Sequence, residues 1–156
     1  MNFQTFIASH VEPILHDWEA AAKAVAPAHA LSRETLRDHW AEILKAIGDE
    51  MAQAPVATPV APGSPPASPL QAAASAHGAR RQQENFEVDE VVAEFRAMRS
   101  TVLEAWQRFE QNAGRALAVD DANRFSEALD RALAGSIDRH LKDRARVRDL
   151  PGDARS

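Results

Sequence analysis

Apolar residues recur every three or four positions through most of this chain, and no segment alternates apolar and polar residues over a useful length. The first spacing marks one face of an α-helix, whereas strict alternation marks a half-buried strand. The sequence therefore predicts an all-α fold, a bundle of about five helices without a strand. The predicted helices span approximately residues 3–25, 32–51, 70–83, 88–111 and 120–146.

Each of the three tryptophans lies on the apolar stripe of a different predicted helix. One shared aromatic core explains this arrangement better than a cofactor-binding box does. A repeat of four residues in the fifth helix also predicts that its last member, Leu141, is on the buried face. The predicted core residues are Trp18, Trp40, Phe95, Trp106 and Phe125, and the fifth-helix stripe is Phe125, Leu129, Leu133, Ile137 and Leu141.

The composition changes abruptly between the second and third predicted helices. Residues 54–69 contain six prolines in 16 positions. Because proline fixes φ and removes backbone donors, this segment is expected to be an extended connector rather than a helix or an inner strand. We expect a single all-α domain over residues 1–150, and Pro151 and Gly152 predict a disordered tail at 151–156.

Charge and composition exclude several classes of function. The formal net charge is −5, whereas a general nucleic-acid binder normally carries a basic excess. The chain has no cysteine, which excludes disulfides, thiolate chemistry and zinc–sulfur sites. Its start does not resemble a signal peptide, and no apolar run reaches the ~20 residues of a membrane span. We expect a cytoplasmic protein that neither binds nucleic acid nor inserts into a membrane.

No motif in the sequence organises a reactive centre. The chain lacks an HExxH pair, a GxSxG nucleophile turn and the glycine-rich loops that bind phosphates. The pairs His39–Glu42 and His140–Asp143 have helical spacing, but each offers too few ligands for a metal ion. We therefore expect no catalysis and no bound metal.

His77 falls on the inner face of the third predicted helix, and three interpretations of it stay open. It is a packed, hydrogen-bonded side chain, part of a site for a small ligand or partner, or a haem ligand. The neighbouring Gly78 and the Arg80–Arg81 pair favour tight packing in polar surroundings over a haem pocket.

Arg99 lies close to the apolar face of the fourth predicted helix, which is unusual for an arginine. An acid from a neighbouring helix is expected to pair with it, and anion binding is the alternative. The candidate acids are Glu94, Glu127 and Asp130.

Residues 76–106, AHGARRQQENFEVDEVVAEFRAMRSTVLEAW, carry a family resemblance. They contain an A-H-G-x-x-R element, a short F-x-x-D/E turn and a helix of the type V-x-E-F/Y-R-x-L/M-R. The chain resembles the amino-terminal domain of RsbR/RsbRD stressosome co-antagonists and, more closely, the matching input domain of many bacterial soluble sensor histidine kinases. The resemblance covers nearly the whole chain apart from the connector. The matching residues are Ala76, His77, Gly78, Arg81, Phe86, Asp89, Val92, Glu94, Phe95, Arg96, Met98 and Arg99.

The resemblance implies an all-α sensory module, often globin-like and without haem, that dimerises and signals through its last helix into an effector. The chain contains no phosphoacceptor box, so no kinase activity is expected from it. Expected partners are a second copy of the chain and a kinase or stressosome-type signalling protein, and no cofactor is expected. The alternative is a small-ligand or haem sensor centred on His77. The candidate binding residues are His77, Arg81, Glu94 and Arg99, and no residue is predicted to be catalytic.

Overall fold

The computed structural model describes residues 2–25, 33–52 and 68–148, and within them the fold is all-α, as the sequence predicted, with no strand. Each predicted helix is present, and its ends lie within two residues of the predicted ones. The predicted connector up to residue 67 and the predicted tail lie outside the described residues. The helices are α1 (Phe3–Val25), α2 (Arg33–Ala52), α3 (Pro69–Gln83), α4 (Val88–Asn112) and α5 (Val119–Arg148).

The start of α3 differs from the prediction, which assigned Ser68 and Pro69 to the connector. Ser68 is the N-cap of α3, and its hydroxyl accepts a hydrogen bond from the Gln71 backbone N–H at 3.2 Å. Pro69 is the first helical residue, because an N–H at that position would have no intrahelical partner and the fixed φ of proline suits a helix. The connector prediction was therefore wrong for these two residues.

Pro13 lies inside α1, and the helix continues on both sides of it. Proline lacks the N–H that would bond to the carbonyl group four residues earlier, so this turn has one hydrogen bond fewer. Buried Phe6, Ile14 and Trp18 anchor α1 to the bundle on either side of the proline. Burial of this apolar face, rather than unbroken backbone bonding, stabilises the helix here.

Two aromatic groups fill the interior of the bundle. The first joins α1, α4 and α5, since the ring centroid of Phe3 lies 4.8 Å from that of Trp106 and 5.0 Å from that of Phe125. In the second, the centroid of Trp40 lies 5.7 Å from that of Trp18 and 4.8 Å from that of Phe95. The five core residues named from the sequence are each at most 1% exposed: Trp18, Trp40, Phe95, Trp106 and Phe125.

At Gly78, α3 and α5 come into backbone contact. A Cβ atom on this glycine would lie 2.1 Å from the backbone oxygen of Ser136. The Ser136 hydroxyl donates to the carbonyl oxygen of Ala74, one turn earlier on α3, at 2.7 Å. Such an approach requires glycine, so this contact fixes the position of the adjacent His77 relative to α5.

The sequence prediction for Leu141 was wrong, because this side chain is 48% exposed. An α-helix has about 3.6 residues per turn, so each step of four residues rotates about 40° beyond a full turn. Four such steps from buried Phe125 turn the stripe away from the core by the time it reaches Leu141. Leu133 and Ile137, in between, are partly buried against the core.

Candidate functional site

Three of the four predicted binding residues meet in one buried cluster between α3 and α4. His77 and Arg81 lie one turn apart on α3, and Glu94 lies on α4. Their exposed fractions are 0, 0 and 2%, respectively. We call His77, Arg81 and Glu94 the buried ion cluster.

The shortest contact in the buried ion cluster joins His77 Nε2 to Glu94 Oε1, at 2.5 Å. An ionised carboxylate only accepts hydrogen bonds, so the imidazole donates its Nε2 hydrogen to Glu94. Within the described part of the chain, His77 Nδ1 has no hydrogen-bond partner. This geometry suits both the neutral imidazole with hydrogen on Nε2 and the doubly protonated imidazolium.

Arg81 connects the buried ion cluster to the end of α3. Its Nε donates to Glu94 Oε2 at 2.9 Å and to Oε1 at 3.2 Å, and its Nη1 donates to Glu84 Oε1 at 2.9 Å. The guanidinium carbon also lies 5.1 Å from the ring centroid of Phe86, which is a cation–π contact. One buried cation therefore links α4 to the residues that follow α3.

Aromatic rings and a second histidine surround His77. The ring centroids of Trp40 and Phe95 lie 5.2 and 5.5 Å from that of His77, both in edge-on contacts. The ring of His39, on α2, lies 5.8 Å away. The sequence does not connect His39 with His77, because only the packing of α2 against α3 brings the two rings together.

The pKa shifts assign charges to these groups. Burial raises the pKa of Glu94, but the charges and hydrogen bonds of His77 and Arg81 together outweigh burial, so the pKa lies below its usual 4.5. Glu94 is therefore ionised at neutral pH. Burial, followed by the positive charges of His77 and Arg81, lowers the pKa of His39 from its usual 6.5. His39 is therefore mainly neutral at pH 7, and Arg81 is the permanent cation of the site.

Residues 84–87 form the α3–α4 turn, which begins with a Schellman motif. The Phe86 N–H bonds to the carbonyl oxygen of Arg81 at 2.9 Å, and the Asn85 N–H bonds to that of Gln82 at 3.0 Å. Asn85 has a φ of 64°, in the left-handed region that asparagine adopts more readily than most residues. The backbone of the turn is thus bonded to Arg81, a member of the buried ion cluster.

Two side chains of α5 hold the α3–α4 turn. His140, which is 1% exposed, donates from Nε2 to the Phe86 carbonyl oxygen at 2.5 Å. Arg144 pairs through Nη1 with Glu87 Oε2 at 3.1 Å. The sequence prediction missed both contacts because it considered His140 only as a metal ligand. Ser136 and His140, four residues apart and both buried, form a polar stripe whose spacing would have marked this face.

Arg99, the fourth predicted binding residue, lies apart from the buried ion cluster. Its side chain is 32% exposed and pairs with Asp130 of α5. Asp130 is one of the three acids that the sequence offered as partners, so Arg99 forms an ion pair between helices near the surface.

The described residues offer neither a converging metal-ligand group nor a membrane span. Within residues 2–25, 33–52 and 68–148, no three His, Asp or Glu side chains are placed to hold a metal ion together. None of the helices described is both long and apolar enough to cross a bilayer.

The fold and the site define a class: an all-helical bundle with a buried ion cluster at its centre. The model of the RsbT co-antagonist protein rsbRD N-terminal domain family matches residues 8–155. The match spans nearly the whole chain, which therefore belongs to this family, as the resemblance predicted. No curated protein and no solved structure matches the chain. The A-H-G-x-x-R element of the resemblance supplies His77 and Arg81 to the site and Gly78 to the contact with α5.

Proposed function

We propose that this chain is a cytoplasmic, non-catalytic signal-input module of a stressosome-type or two-component system. It acts as a homodimer and passes its signal through α5 to an effector or partner. Family membership supports the sensory role. The observation that carries the proposal is that α5 holds the α3–α4 turn, to which Arg81 also bonds.

The route from the buried ion cluster to α5 has two steps. Arg81 bonds to Glu94 and Glu84 at the same time, so a change at Glu94 alters the position or strength of the bond to the turn. His140 and Arg144 bond to the same turn, so its displacement moves the last turns of α5. Small shifts of a packed helix are a common form of switching between two states.

The homodimer is proposed from an apolar strip on α5. Leu141 is 48% exposed, and Leu133 and Ile137, which precede it at intervals of four residues, are only partly buried. Contiguous exposed apolar surface commonly marks an interaction site. Packing of this strip against its copy places the two α5 helices side by side, where a movement of one chain reaches the other.

A spin label near the end of α5 tests the homodimer. Ala145 is exposed and the chain has no cysteine, so the Ala145→Cys variant takes a single label. Light scattering should give twice the chain mass of 17.1 kDa, and pulsed EPR should give one distance between the two labels. Leu141→Glu should give the mass of a single chain and no distance between labels. Val119→Glu is the matched control, because Val119 is 72% exposed at the other end of α5 and should be dispensable. A strict monomer contradicts the homodimer.

The same spin label tests the proposed route from the buried ion cluster to α5, which we call the relay. Glu94→Gln removes a charge from the buried ion cluster and should shift the distance between the two labels. Arg99→Gln removes an ion pair that also reaches α5, but at the surface, and should leave the distance unchanged. If Glu94→Gln keeps its helical circular dichroism and its label distances equal those of the parent, the relay through α5 is wrong.

The geometry favours this proposal over a haem sensor centred on His77. The Nε2 atom that would face an iron donates to Glu94, and the rings of Trp40 and Phe95 pack against the imidazole. A small-ligand site keeps some support, since neither His77 Nδ1 nor Arg81 Nη2 has a hydrogen-bond partner among the described residues. We expect no Soret band from a bound haem after titration with haemin; a band that disappears in His77→Ala would reverse this preference.

A further inference from the structure

A groove with a volume of about 440 Å³ lies on the surface between α2 and α3. Its lining residues follow helical spacing on both helices, so one face of α2 borders it on one side and one face of α3 on the other. The α3 side consists of small residues, and because an alanine side chain ends at Cβ, no long side chain fills the space. The lining residues are Pro69, Ala72, Ala73 and Ala76 on α3, and Glu42, Lys45, Ala46 and Asp49 on α2.

The end of α2 and the start of α3 lie at the same end of this groove. The ring centroid of Trp40, in the first half of α2, lies 5.2 Å from that of His77, in the second half of α3, so the two helices run in opposite directions. Asp49, three residues before the end of α2, and Pro69, the first residue of α3, both line the groove. The chain therefore leaves α2 and enters α3 beside the groove.

Residues 53–67, which we call the linking segment, join these two points with 15 residues. Along α2 the groove extends from Glu42 to Asp49, which is about 10 Å at the rise of an α-helix. A chain of this length reaches roughly 50 Å when fully extended. The linking segment is therefore long enough to run along the whole groove and return.

The composition of the linking segment suits an apolar surface. Its sequence, QAPVATPVAPGSPPA, contains five prolines, four alanines and two valines, and no charged residue. Each proline removes one backbone N–H, and an N–H buried without a partner is unfavourable. The linking segment thus has fewer unpaired donors to bury against alanine side chains than an ordinary segment of the same length.

We propose that the linking segment binds in the α2–α3 groove of its own chain. Both of its ends are held beside the groove, so binding is intramolecular and occurs at a high effective concentration. Removal of the alanine face of α3 from water supplies the stabilisation. Bound in this way, the linking segment braces α2 against α3, the helix that carries His77 and Arg81. The inference does not depend on the signal-input role.

Methyl NMR of the full chain, with alanine and valine methyl groups labelled, tests the proposal. The valines of the linking segment are Val56 and Val60. We expect nuclear Overhauser cross-peaks between their methyl groups and those of Ala72, Ala73 or Ala76, because such cross-peaks require close contact. Absence of all of them in the parent chain overturns the proposal.

One substitution in the groove and one matched substitution outside it sharpen the test. Ala72→Arg places a long charged side chain in the groove and should remove the cross-peaks from Val56 and Val60 to Ala73 and Ala76. Ala20→Arg makes the same change on α1, outside the groove, and should retain them. Ala72 and Ala20 are both exposed and arginine favours helices, so both variants should fold. Survival of the cross-peaks in Ala72→Arg contradicts the proposal.

A mixed sample distinguishes the chain's own segment from that of a second copy. Valine methyl groups are labelled in one batch of the chain and alanine methyl groups in another, and the two are mixed. We expect no cross-peak between the batches; if one appears, the groove takes the linking segment of a second copy, and binding within one chain is wrong. The signal-input proposal is judged separately, by the spin-label distances of the Glu94→Gln and Leu141→Glu variants, so either proposal can fail alone.

Discussion

The α3–α4 turn and the residues that follow α4 use the same backbone motif. In the first, Asn85 is the left-handed residue, with φ 64°; in the second it is Gly114, with φ 77°. After α4, the Arg115 N–H bonds to the Glu110 carbonyl oxygen at 2.8 Å, and the Gly114 N–H bonds to that of Gln111 at 3.0 Å. Both helices therefore end in a Schellman motif.

The surroundings of the two motifs differ. Arg81, in the first, is fully buried and bonds to two carboxylates, and α5 bonds to the turn that follows it. Arg115, in the second, is 49% exposed and pairs with Glu110. A Cβ on Gly114 would meet no atom within 4 Å. A local motif therefore only reverses the chain, and the groups bonded to it decide whether it also connects parts of the fold.

The largest difference in stability between variants of the two turns should come from replacing their arginines. Arg81→Met leaves Glu94 buried without its permanent cation, so we expect a loss of about 3–5 kcal/mol in the free energy of unfolding. Arg115→Met removes a solvent-exposed partner and should scarcely change the urea midpoint. Urea denaturation followed by circular dichroism measures both. Equal losses in the two variants would mean that burial does not distinguish the turns.

Replacing the left-handed residue should cause a smaller loss of stability, and the loss should be the same in both turns. Asn85→Ala and Gly114→Ala each place alanine in the left-handed region, which should cost roughly 1–2 kcal/mol in either case. Both positions are exposed, so packing adds little. Asn85→Gly is the control and should be close to neutral. A loss from Asn85→Ala several times that from Gly114→Ala would show that the asparagine side chain makes contacts important for stability.

The smallest expected effect is on how far the free energy of unfolding falls when the solution is acidified. The hydrogen bond from Arg115 lowers the pKa of Glu110, and His77 and Arg81 lower that of Glu94 despite its burial. Because both folded pKa values lie below 4.5, these carboxylates stabilise the fold above that pH, and the contribution is lost as the pH falls through the folded pKa.

Unfolding curves between about pH 3 and 7 measure that loss. Glu94→Gln and Glu110→Gln should each lose less stability on acidification than the parent. The larger change should come from Glu94, because it is buried and accepts hydrogen bonds from both His77 and Arg81. Glu104→Gln, at an exposed position on α4, is the control. A parent chain as stable at pH 3 as at pH 7 would contradict the lowered pKa values.

The helices could be predicted from the sequence because apolar periodicity and burial have the same cause. Trp40 and Trp106 lie on stripes long enough to fix a helix face, and both are buried. The failure at Leu141 has a physical reason as well: a strict repeat of four residues rotates around a helix that has about 3.6 residues per turn. Ser68 and Pro69 begin α3 although they also end the proline-rich segment, because proline is favoured at the first helical position and composition alone does not show this.

The site was only partly predictable. Family resemblance, rather than periodicity, singled out His77, Arg81 and Glu94 together. His39 and His140 were missed because their contacts join residues that are far apart along the chain. Arg99 matched the same resemblance, yet it lies at the surface with Asp130. A motif therefore identifies residues that matter to a fold without stating which of them touch.

The contact between Gly78 and Ser136 determines how α3 and α5 respond to force. In most helix pairs a layer of side chains separates the two backbones and absorbs a displacement by changing rotamers. Here the backbones touch, so sideways motion of one helix is transmitted to the other almost undamped. Deformation must then occur elsewhere in the bundle, while α3 and α5 move together as one rigid pair.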